Sequence, residues 1–293
     1  MRWILTVLIL ITGLISSFLL FYSTPVSENF QETIANYPID ENKKFTKTST
    51  TIELIDETDE DEYTLLWKTA SEIDEKAFLS HDISLLFEDG RLKEKMSLVI
   101  ENSNKLSQKT RLSGEDSGHF EAITFHYGQI NYQNNITKSI QSMSYDQLYV
   151  LDSPLSAIEI FKEPKTDSEK EGKRILDTII QQNLEYTWQE LINYFHIQSE
   201  NYHHVPLTNL AKFNHQVLPD LTMDETKELL ATTWGGVYKY YFLGVEKHDG
   251  TIKSPIGSSV PLVLFHKSYS HIIIVFTNSD GTKYNIVKNT GRF

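Results

Sequence analysis

Four groups of side chains have the types and spacing to do chemistry. In the first, His196, Glu200 and His203 stand four and seven residues apart, with His204 beside them. On a continuous helix these positions share one face, and imidazole with carboxylate suits zinc or iron. Against this, Ser199 can cap a new turn, Pro206 closes the pattern, and no His-Glu-x-x-His motif occurs. Clusters arise readily by chance among 10 histidines, so surface or half-buried histidines without a metal are the favoured reading.

His119 and Glu121 form the second group. Side chains alternate along a strand, so these two share a face while His126 points to the other, which weakens a joint acid–base role. Third, Trp234, Tyr238 and Tyr241 could make an aromatic platform for a sugar or peptide, although this helical spacing more often builds a core. Fourth, Asp116-Ser117-Gly118 matches a serine-protease nucleophile in three residues only. A triad is defined by geometry, and Gly, Ser and Asp are ordinary loop residues. No Gly-x-Ser-x-Gly elbow and no P-loop are present. The candidate ligand-binding residues are thus His119, Glu121, Trp234 and Tyr238. The candidate metal ligands are His196, Glu200 and His203, and no residue is assigned a catalytic role.

The elements that must position these groups follow from periodicity. Thr51–Ile55 reads as a short strand. Acids from Asp56 to Glu62 suit the N-terminus of a helix carrying Leu65, Leu66, Thr69, Ile73 and Ala77 on one side. The same acids lack the central Gly of a calcium loop. Ile83–Phe87 reads as a strand turned by Asp89-Gly90, and Leu92, Met96, Val99 and Ile100 space as a second helix. His119–Tyr132 alternates as a strand or hairpin, and Tyr145–Phe161 holds two apolar runs split at Ser153-Pro154. A polar stretch at 164–172 is a possible joint before a helical pattern through Ile175 and Ile180. Thr187-Trp188-Gln189-Glu190 and Thr222-Met223-Asp224-Glu225 both fit capping boxes. Gly235-Gly236 inside the last helix costs about 1 kcal/mol per Gly relative to Ala, which is best explained by close approach of another backbone. Val260–Phe265, Ile272–Phe276 and Tyr284–Val287 predict a C-terminal β-meander. Its middle strand is apolar on both faces and therefore buried.

Ahead of this domain, Trp3 to Tyr22 carry no charge. Such a run makes a helix of ~30 Å, enough to cross a bilayer. Arg2 precedes it, Glu28 and Glu32 follow, and Trp3 and Tyr22 lie at its ends, which predicts an N-terminus inside and the remainder outside. The run exceeds a signal-peptide core and no good small-x-small site follows, so a retained anchor is favoured over a cleaved signal. The predicted organisation is a transmembrane anchor at 1–22, a polar stalk at 23–50 and an exported α+β domain at 51–293.

The chain has 293 residues and no cysteine, which excludes disulfides and thiolate chemistry. Arg2 is the sole charged side chain before Glu28, so the exported part holds 26 of the 27 basic residues against 40 acidic ones. Long-range attraction to nucleic acid or anionic lipid is therefore not expected.

Several pieces together resemble an uncharacterised family of single-pass membrane-anchored proteins from Gram-positive, endospore-forming bacteria. They are Leu65-Leu66-Trp67-Lys68, Leu86-Phe87-Glu88-Asp89-Gly90-Arg91-Leu92, Ile123-Thr124-Phe125-His126, Trp234-Gly235-Gly236-Val237-Tyr238-Lys239 and Pro261-Leu262-Val263-Leu264-Phe265. The resemblance covers most of the exported domain and implies no activity and no site.

The sequence thus predicts a non-enzymatic binding, sensing or assembly protein of the bacterial cell envelope. Residues 3–22 meet the lipid bilayer, another envelope protein is a possible partner, and no cofactor is expected. The alternative is a cell-envelope hydrolase using His196, Glu200 and His203, with or without zinc or iron bound there.

Overall fold

The structure is a computed structural model that describes residues 37–59, 62–153, 156–246 and 251–291. The predicted anchor at 3–22 and the first part of the stalk lie outside the described residues. Among the described residues no helix is long and apolar enough to cross a membrane.

A six-stranded antiparallel sheet comes first. It contains β1 (Lys47–Asp59), β2 (Glu62–Glu88), β3 (Arg91–Gly114), β4 (Gly118–Asn131), β5 (Thr137–Ser153) and β6 (Ser156–Phe161). The order is β1-β2-β4-β5-β6, with β3 also paired to β2. The organising element is β2. Its first half pairs with β1, its second half with β4, and the register breaks between Glu72 and Ala77. At that break the sheet folds over. Ser71 in the first half donates to Asp82 in the second, and Thr50 of β1 reaches Thr124 of β4 and Ser144 of β5. Between the two layers lie Ile52, Leu65 and Trp67, facing Leu86, Phe120, Ala122 and Leu148.

This overturns two predicted helices. Leu65–Phe78 belongs to β2, and Leu92–Ile100 belongs to β3. In the first half of β2 the buried positions are Tyr63, Leu65, Trp67, Thr69, Ser71 and Ile73, a strict period of two. Thr69 and Ser71 are polar, so a hydrophobic count breaks there and a helical period of Leu65, Leu66, Thr69 and Ile73 takes its place. The acids at 56–59 consequently run into the β1–β2 hairpin and do not open a helix. The predicted turn at Asp89-Gly90 is present, with φ of 50° and 76°, the left-handed pair of a tight hairpin.

The stalk boundary also moves. Ile39 bridges Ser139, Asp40 N–H donates to the Ser139 carbonyl, and Lys47–Thr50 pair with β2. Residues 37–50 are therefore bound to the domain.

Helix α1 (Asp167–Tyr194) follows, with Thr166 and Glu169 forming a reciprocal capping box. It is continuous, so the second box predicted at Thr187 does not start a helix. Thr187 Oγ1 instead donates back to the Asn183 carbonyl. The stretch at 164–172 leads into α1, which lies on the large sheet with Gly172 against Leu151. Helix α2 (Met223–Val237) opens with the predicted box at Thr222 and Glu225 and continues as a π-helical turn, Tyr238–Phe242.

A four-stranded antiparallel sheet closes the fold. It contains β7 (Tyr202–Pro206), then, after the short β8 (Val245–Glu246) and β9 (Ile252–Lys253), the meander β10 (Leu262–His266), β11 (His271–Thr277) and β12 (Lys283–Asn289). The order is β12-β11-β10-β7, so β11 is interior as predicted. One face of β11, Ile273 and Val275, packs with Leu191 and Ile192 of α1. The other, Ile272, Ile274 and Phe276, joins Trp234 of α2 and Ile83, Phe125 and Tyr127 of the large sheet in the main core. Each such side chain contributes about 1.5–3 kcal/mol by leaving water. Gly236 meets this sheet closely, since a Cβ there would stand 3.1 Å from Lys288 Cγ. The atoms met there belong to side chains, so the close approach of another backbone expected at the Gly-Gly pair is not what the structure shows.

His81 on β2 is buried beside Tyr238, its Nε2 2.7 Å from Ser97 Oγ. Burial pushes its pKa down to about 4 from 6.5. The folded state keeps this ring neutral where the unfolded chain takes a proton. Stability is unaffected above about pH 7 and falls as pH drops from about 6.5 towards 4, by about 3 kcal/mol in total. Urea midpoints measured across this range should converge for wild type and His81→Gln at the acid end. A constant offset between the two curves would exclude His81 as the source.

Candidate functional site

Antiparallel pairing of β4 with β5 sets opposite one another His119 and Tyr149, and Glu121 and Gln147. These side chains, with Tyr145, lie on the outer face of the sheet, continuing the row Ile123, Phe125, Tyr127. The Asp89 carboxylate accepts from the His119 backbone N–H at 2.8 Å, so the β2–β3 turn fixes where the face begins. His119 stacks on Tyr149 with ring centroids 4.0 Å apart and planes within 5°, and its Nε2 lies 3.3 Å from Gln147 Oε1. Tyr145 Oη–H donates to Glu121 Oε1 at 2.8 Å. Tyr149 Oη–H donates to Asp177 Oδ1 of α1 at 2.8 Å and accepts from Lys173 Nζ, which also pairs with Asp177 Oδ2 at 2.6 Å.

Desolvation pushes the pKa of His119 down, so the ring is neutral at pH 7. Burial, then Glu121, pushes Tyr145 up, and burial with Asp177 does the same for Tyr149, so both phenols remain donors. The result is a pre-oriented polar wall.

Across from it runs a stripe of α1: Asp177, Gln181, Leu184, Glu185 and Trp188. The start of the 3-10 segment Leu207–Asn214 closes one end with Thr208 and Asn209. Together they enclose a groove of about 420 Å³. Trp188 Nε1 donates to the Val260 carbonyl at 2.9 Å, which holds the indole in place. Glu121 and Glu185 have no cationic partner among the described residues, whereas Asp177 is matched by Lys173.

Of the predicted ligand-binding residues, His119 and Glu121 therefore come together in one groove, and the other two do not join them. Trp234 is buried in the main core, stacked on Phe125 with centroids 5.3 Å apart, its Nε1 on Met143 Sδ. Tyr238 packs edge-on against His81 and stacks on Phe242. Their helical spacing marked core, because α2 is covered by both sheets.

The predicted metal group is also dispersed. Helix α1 ends at Phe195 with His196 left-handed at φ 53°. His196 N–H donates to the Asn193 carbonyl and Ile197 N–H to that of Ile192, the paired bonds that terminate a helix. Glu200 then sits in the short turn Ser199–Asn201, and His203 in β7, stacked on Tyr269. No continuous helix carries the three. Among the described residues no group of three or more His, Asp or Glu side chains is placed to hold a metal.

Ser117 is not a nucleophile in waiting. Its Oγ donates to the Asp152 carbonyl and accepts from the Asp152 N–H, locking a turn. The inner face of the large sheet carries a triad-like chain that sequence reasoning did not find. His126 Nδ1 lies 2.8 Å from Asp82 Oδ2, and His126 Nε2 lies 2.7 Å from Ser144 Oγ. The register accounts for it: Asp82 is opposite His126, and Ser144 is two residues along from the His126 partner Ser142. Yet Asp82 and His126 are 0% exposed, β1 covers the chain, and Ser144 Oγ is also held 2.6 Å from Thr50 Oγ1, which donates onward to Thr124. Acyl transfer needs open space beside the nucleophile and donors aimed at the oxyanion. Backbone groups around Ser144 are spent in the β4–β5 ladder. The chain is a satisfied polar seam inside the folded sheet.

No family model, curated protein or solved structure matches this chain. The functional reading therefore rests on the groove alone.

Proposed function

We propose that this protein is a non-enzymatic binding protein of the cell envelope, held at the membrane by residues 3–22 and presenting the β4–α1 groove outside the cell. The observation that carries the binding reading is the groove itself. Its volume of about 420 Å³ is that of a small-molecule site, one wall is fixed by aromatic stacking and half-buried hydrogen bonds, and the other offers apolar surface from Ile180, Leu184 and Trp188 beside its polar residues. A small-fragment screen followed by nuclear magnetic resonance should give shifts that cluster at His119, Trp188 and Thr208. Leu184→Trp, which fills the groove, should abolish them. Absence of groove binders from every chemical class would sink the reading.

The anchored topology rests on the charge-free run and its flanks. Protease added to intact protoplasts should digest the chain beyond about residue 30, given the ~20-residue span of a membrane helix. Full protection of the C-terminal portion would refute an exported domain. The hydrolase alternative expected at His196, Glu200 and His203 finds those residues dispersed, so a serine mechanism at Asp82, His126 and Ser144 would have to replace it and requires an accessible serine. A fluorophosphonate should leave Ser144 unlabelled in the folded protein, and stoichiometric labelling there would restore that alternative.

A further inference from the structure

The groove has an electrostatic sign. Glu121, Asp177 and Glu185 line it, and no Lys or Arg does. Lys173 neutralises Asp177 from beside it, which leaves two carboxylates uncompensated by protein among the described residues. The Tyr145 phenol occupies Oε1 of Glu121, and no protein donor among the described residues occupies Oε2.

A second, independent observation comes from two polar atoms of the groove lining that have no protein partner among the described residues. Thr208 is only 5% exposed, lines the groove, and its hydroxyl has no hydrogen-bond partner among the described residues. His119 is 8% exposed and uses Nε2 towards Gln147, while Nδ1 has no protein partner. Neither atom is a fully buried orphan, so both are reachable from the groove and free to accept from a ligand there. A carboxylate oxygen accepts only, and a hydroxyl or a neutral imidazole nitrogen can accept. A group that suits several acceptors lining one groove of net negative charge is a primary ammonium, which has three donors and one positive charge. Leu184, Ile180 and Trp188 add an apolar wall, and an indole ring attracts a nearby cation.

We propose that the groove binds a primary ammonium group carried on a compact apolar or aromatic body, with Glu121 as its counter-ion and Thr208 as a second acceptor. This rests on the binding reading above and names the ligand class of that same groove. A neutral ligand leaves Glu121 desolvated without compensation, and an anionic one meets like charge.

The test uses the full-length chain and four matched probes: phenethylamine, its N-trimethyl derivative, phenethyl alcohol and 3-phenylpropionate. Binding is followed by titration calorimetry and mapped by nuclear magnetic resonance. The amine should bind in the groove most tightly, and more weakly as salt rises. Glu121→Gln should weaken it by about tenfold or more while leaving any binding of the alcohol unchanged. Thr208→Val should weaken it severalfold. Glu185→Gln lies on the exposed side of α1, where it does not threaten folding, and should also weaken the amine. Groove binding of the alcohol or the carboxylate as tight as that of the amine would overturn the ammonium assignment and leave the binding reading standing. Equal affinity for the trimethyl form would overturn the hydrogen-bonded primary ammonium. No groove binding by any probe, with a fragment screen also empty, would overturn both.

Discussion

Replacing Ile274 by Asp is expected to abolish the soluble folded domain. Ile274 is fully buried in the middle of β11, opposite Val263 on β10 and Ile286 on β12. Its side chain belongs to the main core with Trp234, Phe125 and Phe276. An unpaired carboxylate in such surroundings is opposed by a desolvation cost comparable to the whole stability of a domain, about 5–15 kcal/mol. Near-ultraviolet circular dichroism should lose its tertiary signal. In the wild type the amides of 272–276 should be among the slowest to exchange, because β11 is paired on both sides and covered on both faces. A folded Ile274→Asp protein with rapid exchange in β11 would refute the placement of this strand at the centre. Lys267→Asp, on the exposed turn between β10 and β11, should stay within about 0.5 kcal/mol of wild type. Lys283 is a poorer control than its place beside a turn suggests. It pairs with Glu190 at 2.8 Å and lies over the Tyr194 ring, tying the meander to α1.

The second large effect concerns the seam inside the folded sheet. His126→Leu should destabilise the protein by about 3–5 kcal/mol, because it leaves the Asp82 carboxylate buried with Ser71 as its one side-chain donor among the described residues. The double variant Asp82→Leu/His126→Leu should recover much of that loss, since removing both partners removes the stranded charge. Denaturant midpoints for the four members of the cycle give the coupling directly. Additive losses would show that the pair does not act as a unit. The seam also explains why the sheet folds where it does. Thr50, Ser71, Asp82, Thr124, His126 and Ser144 satisfy one another only when β1 lies over β4 and β5 in one register. A one-residue slip would put these polar groups against the main core.

The sequence by itself determined the parts whose signal is local. The meander and its buried middle strand follow from an apolar run with turn residues at its ends. The capping box at Thr222 is local chemistry, as is the left-handed turn at Asp89-Gly90. Alternation along β4 placed His119 and Glu121 on one face and His126 on the other. Tertiary structure alone decided the rest. Thr69 and Ser71 face inward because a second layer carrying Asp82 and His126 lies over them, and that partner is not visible in the local pattern of β2. The left-handed bend at His196 separated a histidine cluster that a continuous helix would have gathered. The groove was half legible. Its strand side shows in the period-two pair His119 and Glu121, whereas the helix side, Asp177, Gln181, Leu184 and Trp188, carries no such local mark. That the two rows face each other, with the partnerless Thr208 hydroxyl between them, is a fact of long-range packing, since side chains more than twenty residues apart meet only when the whole core has formed.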